Sequence, residues 1–138
     1  GDGIMVMFNT VTKSETYAAD ALRCVDDMCA ACMAWGKERE AAGEAAMELV
    51  WSVAAGPVVF GAVGDTTRLE YTVIGDSANM AAKLEKHTKE EGVHGLTTKE
   101  TFDLAVSQGY EPPAPRAVLG DRNVGGVDAP IDLVTLVS

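Results

Sequence analysis

The chain has 138 residues, enough for one domain around a single core. Apolar residues make up 47% against 23% charged, which excludes a disordered or fibrous protein. The net charge of −10 excludes a nucleic-acid backbone as partner, because phosphates demand a basic face. It leaves room for a single nucleotide whose charge a divalent ion and a few local cations neutralise.

Residues 3–8 are an apolar run after a Gly-rich turn and predict a short strand. Residues 14–41 carry the longest helical pattern. Leu22, Val25, Cys29, Cys32 and Met33 form one stripe, and Cys24, Met28, Ala31 and Trp35 form a second. So wide an apolar surface predicts packing on a sheet, and the acidic Glu38–Glu48 stretch predicts a solvated helix end. Cys24, Cys29 and Cys32 imitate part of an iron–sulfur spacing. With no fourth cysteine and a helical setting, buried core thiols in a reducing cytosol are the expectation.

Residues 47–54 alternate as a strand that Gly56-Pro57 breaks, and Val58–Val63 predicts a second. Asp65–Arg68 predicts a loop or hairpin tip before a strand at Leu69–Ile74. A helix follows from Ser77 to Glu90, capped by Asp76 or Ser77. Thr97 and Glu100 form a capping-box pair for a third helix with Thr98, Phe102, Ala105 and Val106 as its stripe, ended by Gly109. Pro112-Pro113-Ala114-Pro115 is a stiff connector. Strands near 116–119 and 131–137 flank a Gly125-Gly126 turn. Strands and helices alternate, an α/β or α+β sandwich pattern with helices on a sheet. His87 and His94 lack metal-ligand spacing and are expected at the surface or in loops. Gly61–Gly64 lacks the Lys-Ser/Thr of a phosphate-binding loop.

Three segments stand out together: Gly-Asp-Gly-Ile-Met-Val-Met-Phe (1–8), Gly-Pro-Val-Val-Phe-Gly-Ala-Val-Gly (56–64) and Tyr-Thr-Val-Ile-Gly-Asp-Ser-Ala-Asn (71–79). In that order they resemble the catalytic domain of class III nucleotidyl cyclases. The resemblance runs the length of the chain. It implies a single ferredoxin-like cyclase homology domain at 1–138, with a mostly antiparallel central sheet. It also implies that a first strand, a first helix and the strand leading into the Gly-Asp turn lie upstream of Gly1.

The implied reaction is attack of the ribose 3′-oxygen on the α-phosphorus of a nucleoside triphosphate, with pyrophosphate leaving. By resemblance it uses two Mg2+ or Mn2+ ions held by two aspartates. Asp2 matches the second of these, and the first is not in this sequence. Thr72 matches the position that reads the adenine edge in one bacterial branch, where a hydroxyl can donate and accept. Asn79 matches the residue that orients the ribose. Lys83 stands where the family usually has an arginine that neutralises charge on the α-phosphate. A compact ammonium replaces a planar fork of donors there. Gly125 stands where a lysine usually grips the outer phosphates, and Arg122 is a nearby cation.

The resemblance further implies a head-to-tail homodimer, with Asp2 of one chain facing Thr72, Asn79 and Lys83 of its mate. Segment 64–74 is then part of the arm that reaches across. The expected product is cyclic AMP from ATP, with GTP and cyclic GMP second. The expected setting is cytoplasmic, with no membrane contact by this domain. Lys83 and Gly125 keep a second reading open: a degenerate cyclase domain that dimerises and binds nucleotide without turnover.

Overall fold

The computed structural model describes the chain apart from residues 1–2, 46–47, 66 and 68, and apart from the side chains of 69–71. A helix α1 (Tyr17–Ala41) is followed by strand β1 (Trp51–Val53), a hairpin of β2 (Val59–Gly64) and β3 (Leu69–Ile74), and helix α2 (Asp76–Glu91). Strand β4 (Gly95–Thr98), helix α3 (Lys99–Ser107) and strands β5 (Val118–Arg122) and β6 (Ile131–Val137) complete the chain. The main sheet runs β1-β4-β6-β5, with β1 parallel to β4 and the other two pairs antiparallel. The β2–β3 hairpin forms a separate two-stranded sheet.

Helices cover both faces of the main sheet. On one face Ala18, Ala19, Leu22 and Val25 of α1 pack with Ala105 of α3, Tyr110 and Leu136 of β6. On the other, Leu84 of α2 meets Leu96, Leu133 and Val124. Leu133 and Leu136 lie three apart on one strand, so alternation sends them to opposite faces. This is why four consecutive residues of β6, Leu133–Leu136, are all buried. A fully buried leucine such as Leu84 contributes about 1.5–3 kcal/mol.

A half-buried polar cluster ties α1 to the far end of the chain. The Tyr110 hydroxyl donates to Asp26 Oδ2 at 2.7 Å, and Arg116 donates to Asp26 Oδ1 and to the Leu136 carbonyl. Tyr110 and Arg116 lie on either side of the proline-rich connector, so one carboxylate holds both of its ends.

Several expectations need correction. Residues 3–8 form no strand and Ile4, Met5, Val6 and Met7 are exposed, because no neighbouring strand pairs with them among the described residues. Of the strand expected over 47–54, Met47 lies outside the described residues, and within 48–54 the strand covers Trp51–Val53, where β4 supplies a partner. Only the first third of α1 is buried. Cys24, Cys29 and Cys32 are partly exposed rather than core thiols. The cap of α3 is Thr98, whose Oγ1 accepts from the Thr101 N–H at 3.1 Å, since Thr97 is buried in β4. Gly75 rather than Asp76 or Ser77 precedes the first turn of α2. Val106, placed in the apolar stripe, is exposed.

Candidate active site

Strand β3 leads into α2 through Gly75, whose backbone is extended. Its need for glycine is steric: a Cβ there would lie 2.6 Å from the Pro57 carbonyl oxygen and 3.1 Å from Val58. The Gly56–Val58 segment therefore lies directly against the start of α2, and Ser77 Oγ donates to the Gly56 carbonyl at 3.3 Å. Replacing Gly75 by alanine forces backbone apart and is expected to cost about 1–3 kcal/mol. An unfolding free energy from urea denaturation lowered by that amount, with no change for the neighbouring exposed Asp76→Ala, is the check.

Four residues after Gly75, Asn79 begins the helical ladder by donating its N–H to the Gly75 carbonyl at 3.2 Å. Its side chain is exposed. Lys83, one turn further, shares its face of α2. The Lys83 ammonium donates to the carbonyl of Gly126, in the turn between β5 and β6. That turn is closed by the Val127 N–H on the Val124 carbonyl at 3.0 Å. Gly126 has φ +76°, and a Cβ on it would lie 3.3 Å from Lys83 Cε. Glycine there permits both the left-handed backbone and the close passage of the lysine stem. Gly125, by contrast, faces open space.

Thr72 is half-buried in β3 opposite Gly61, in the strand that feeds α2. The structure thus gathers Asn79, Lys83 and the Gly125-Gly126 turn around one face of α2, with Thr72 on the element before it. Asp2 lies outside the described residues. Among the described residues no group of three His, Cys, Asp or Glu side chains could hold a metal ion.

The two remaining candidates change role. Arg122 does not extend toward the turn. Its Nε lies 2.9 Å from Glu91 Oε1, and its Nη1 donates to the Gly120 carbonyl at 3.0 Å. His87 is not at the surface: it is 4% exposed, on the face of α2 that carries Leu84 and Thr88 toward the sheet. Its Nε2 is hydrogen-bonded to Glu91 Oε1 of its own helix at 3.1 Å, whereas Nδ1, 3.0 Å from Glu90 Oε2, makes no hydrogen bond. The His-x2-Glu-Glu spacing over 87–91 was the available signal, since residues three and four apart share a helix face. His94 is exposed, with Nδ1 3.1 Å from the Ser138 carbonyl oxygen. No described helix is long and apolar enough to cross a membrane.

Residues 1–114 match the family model of the adenylate and guanylate cyclase catalytic domain. Adenylate cyclase 1 of Rhizobium meliloti (strain 1021) is 30% identical over 98 residues, covering 71% of this chain and 15% of that protein. An adenylate cyclase of Anabaena cylindrica is 48% identical over 44 residues, covering 32% of this chain and 9% of that protein. The chain thus spans a small part of the length of these relatives. Among solved structures, the adenylyl cyclase CyaB of P. aeruginosa superposes with a TM-score of 0.72 at 21% identity, over 95% of this chain and 64% of that one. A guanylyl cyclase structure superposes with the same TM-score of 0.72 at 20% identity, over 99% of this chain and 68% of that one. At these identities the structural likeness speaks for the fold.

Proposed function

Because the chain belongs to the adenylate and guanylate cyclase catalytic domain family, we propose that it takes part in converting ATP to cyclic AMP and pyrophosphate, as one half of a head-to-tail homodimer. In this reaction a bond forms between the ribose 3′-oxygen and the α-phosphorus. The bond from that phosphorus to the pyrophosphate oxygen breaks, and the 3′-hydroxyl proton passes to solvent. Thr72 offers a hydroxyl to the base edge, Asn79 an amide to the ribose, and Lys83 a cation to the charge that grows on the α-phosphate. Asp2 of the partner subunit is the residue this sequence contributes to binding Mg2+ or Mn2+. Those ions, when bound, lower the cost of ionising the attacking hydroxyl and offset phosphate charge.

The observation that carries the proposal is the station of Lys83. It is half-buried on the Asn79 face of α2, with its ammonium held at the turn beside Gly125 rather than free in solvent. An anionic phosphate brought to that turn meets a cation already in place. The test is cyclic nucleotide formation by the complete chain with manganese and either ATP or GTP. Product from ATP in excess over GTP supports the proposal. No product from either, with Lys83→Arg combined with Gly125→Lys also silent, overturns it.

A second reading draws on Gly125, whose position is open and carries no cation. A degenerate domain would bind nucleotide and dimerise without turnover. Gly125→Lys separates the two. The position has room for a side chain, so stability is expected to stay within about 0.5 kcal/mol. On the cyclase reading an added phosphate contact raises product formation by about tenfold. On the degenerate reading it tightens nucleotide binding in calorimetry and produces no cyclic nucleotide.

A further inference from the structure

Strand β5 carries an irregularity between Leu119 and Arg122, where its register against β6 shifts. Asp121 sits there in the left-handed region, with φ +53°, and its N–H donates to Asp132 Oδ1 at 3.0 Å. Such bulges turn the side chain that follows. Here that side chain is Arg122, and it is turned onto Glu91 at the last residue of α2. A single oxygen, Glu91 Oε1, lies 2.9 Å from Arg122 Nε as an ion pair without a hydrogen bond, and is hydrogen-bonded to His87 Nε2 at 3.1 Å. Glu91 is only 15% exposed, so this contact works in a partly desolvated setting.

Two residues after Arg122 the chain buries Val124, 2% exposed, against Leu84, and then turns through Gly125-Gly126 onto Lys83. Helix α2 therefore meets the end of β5 and the turn that follows it at three points. These are Lys83 on Gly126, Leu84 against Val124, and Glu91 with His87 on Arg122. The middle contact is apolar and sets no direction along the helix. The ion pair at the helix end is the contact that joins the last residue of α2 to the end of β5, the strand that leads into the turn.

We infer that Glu91 and Arg122 are positioning residues for Lys83: the β5 bulge aims Arg122 at Glu91, and this tie sets the Gly125-Gly126 turn at the height where the Gly126 carbonyl holds the lysine ammonium. The inference rests on the cyclase proposal for the meaning of Lys83, but the tie itself can be read without any turnover.

The test uses the complete chain and a small amine-acylating ester, with labelling of each lysine quantified by peptide mass spectrometry. Lys99, paired with Asp103 on α3 at 2.6 Å, serves as internal reference. Arg122→Ala is expected to raise the Lys83 labelling rate about fivefold relative to Lys99. Glu91→Gln, which keeps the shape and a donor for packing, is expected to raise it in the same direction. Arg122→Lys restores part of the protection. In turnover, both loss variants lower kcat with KM for ATP nearly unchanged, the pattern of a misplaced cation that acts in the transition state. Unchanged Lys83 labelling in a folded Glu91→Gln or Arg122→Ala chain overturns the inference. Labelling that rises in a chain whose wild type makes no cyclic nucleotide supports the tie and overturns only the cyclase proposal.

Discussion

Replacing Lys83 by methionine is expected to lower cyclic nucleotide formation by about 100- to 1,000-fold, the usual cost of removing one donor aimed at transition-state charge. Methionine is chosen because the lysine stem passes close to Gly126, with Cε at the edge of the space a Cβ would take. An unbranched apolar chain keeps that packing and deletes only the ammonium. The lost contact to the Gly126 carbonyl is exposed and neutral on the acceptor side, so stability should fall by no more than about 1 kcal/mol. A thermal melt that stays put beside a collapsed kcat would place the effect in the reaction. A fall in both would make Lys83 a structural residue. Lys83→Arg distinguishes charge from geometry: a planar fork of donors reaching the same phosphate should raise kcat above the wild type.

The second large effect is on stability. Asp26→Ala is expected to cost about 2–3 kcal/mol, below the 3–5 of a fully buried pair because Arg116 and Asp26 keep 15% and 21% of their side-chain surface exposed. For a domain of this size that lowers the thermal midpoint by about 8 °C. The loss is large because Asp26 serves two partners at once, and its removal strands the Arg116 charge and the Tyr110 hydroxyl together. Burial first, and then the hydrogen bond to Asp26, hold the Tyr110 phenol above its ordinary pKa of 10.0. A raised acid favours its protonated form in the folded state, so this contribution is complete below about pH 10 and fades as pH rises beyond it. Asp26→Asn combined with Arg116→Met, which removes the stranded charge, should recover part of the stability that Asp26→Ala loses. A double variant no more stable than Asp26→Ala would show that the cluster is not held by charge.

The long elements were legible because their signals are local. Helical spacing over 14–41 and 77–90, the Gly-Asp turn and the strand at Leu69–Ile74 each depend on residues within a few positions of one another. The observed α1, α2 and β3 fall on them within a few residues. The strand expected at 3–8 failed for the complementary reason: a strand is only half of a pairing, and apolar alternation does not supply its neighbour. The same limit moved His87 from the surface to the interior, since its burial depends on what lies beneath α2. Asn79 and Lys83 could be placed on one face from their spacing. That Lys83 would be held by Gly126, 43 residues away, could not.

By itself, then, the sequence determined the family, through the order of three glycine-marked segments. It also determined the helix that presents Asn79 and Lys83, because period and turn chemistry act between near neighbours. Tertiary structure alone decided that Arg122 turns away from the Gly125-Gly126 turn to Glu91, that Asp26 gathers Tyr110 and Arg116 across 84 and 90 residues, and that the ammonium of Lys83 rests on a glycine carbonyl. Contacts so distant along the chain carry no local pattern. They form only when burial of Leu84, Val124 and Leu133 brings the helix and the turn to the same face of the sheet.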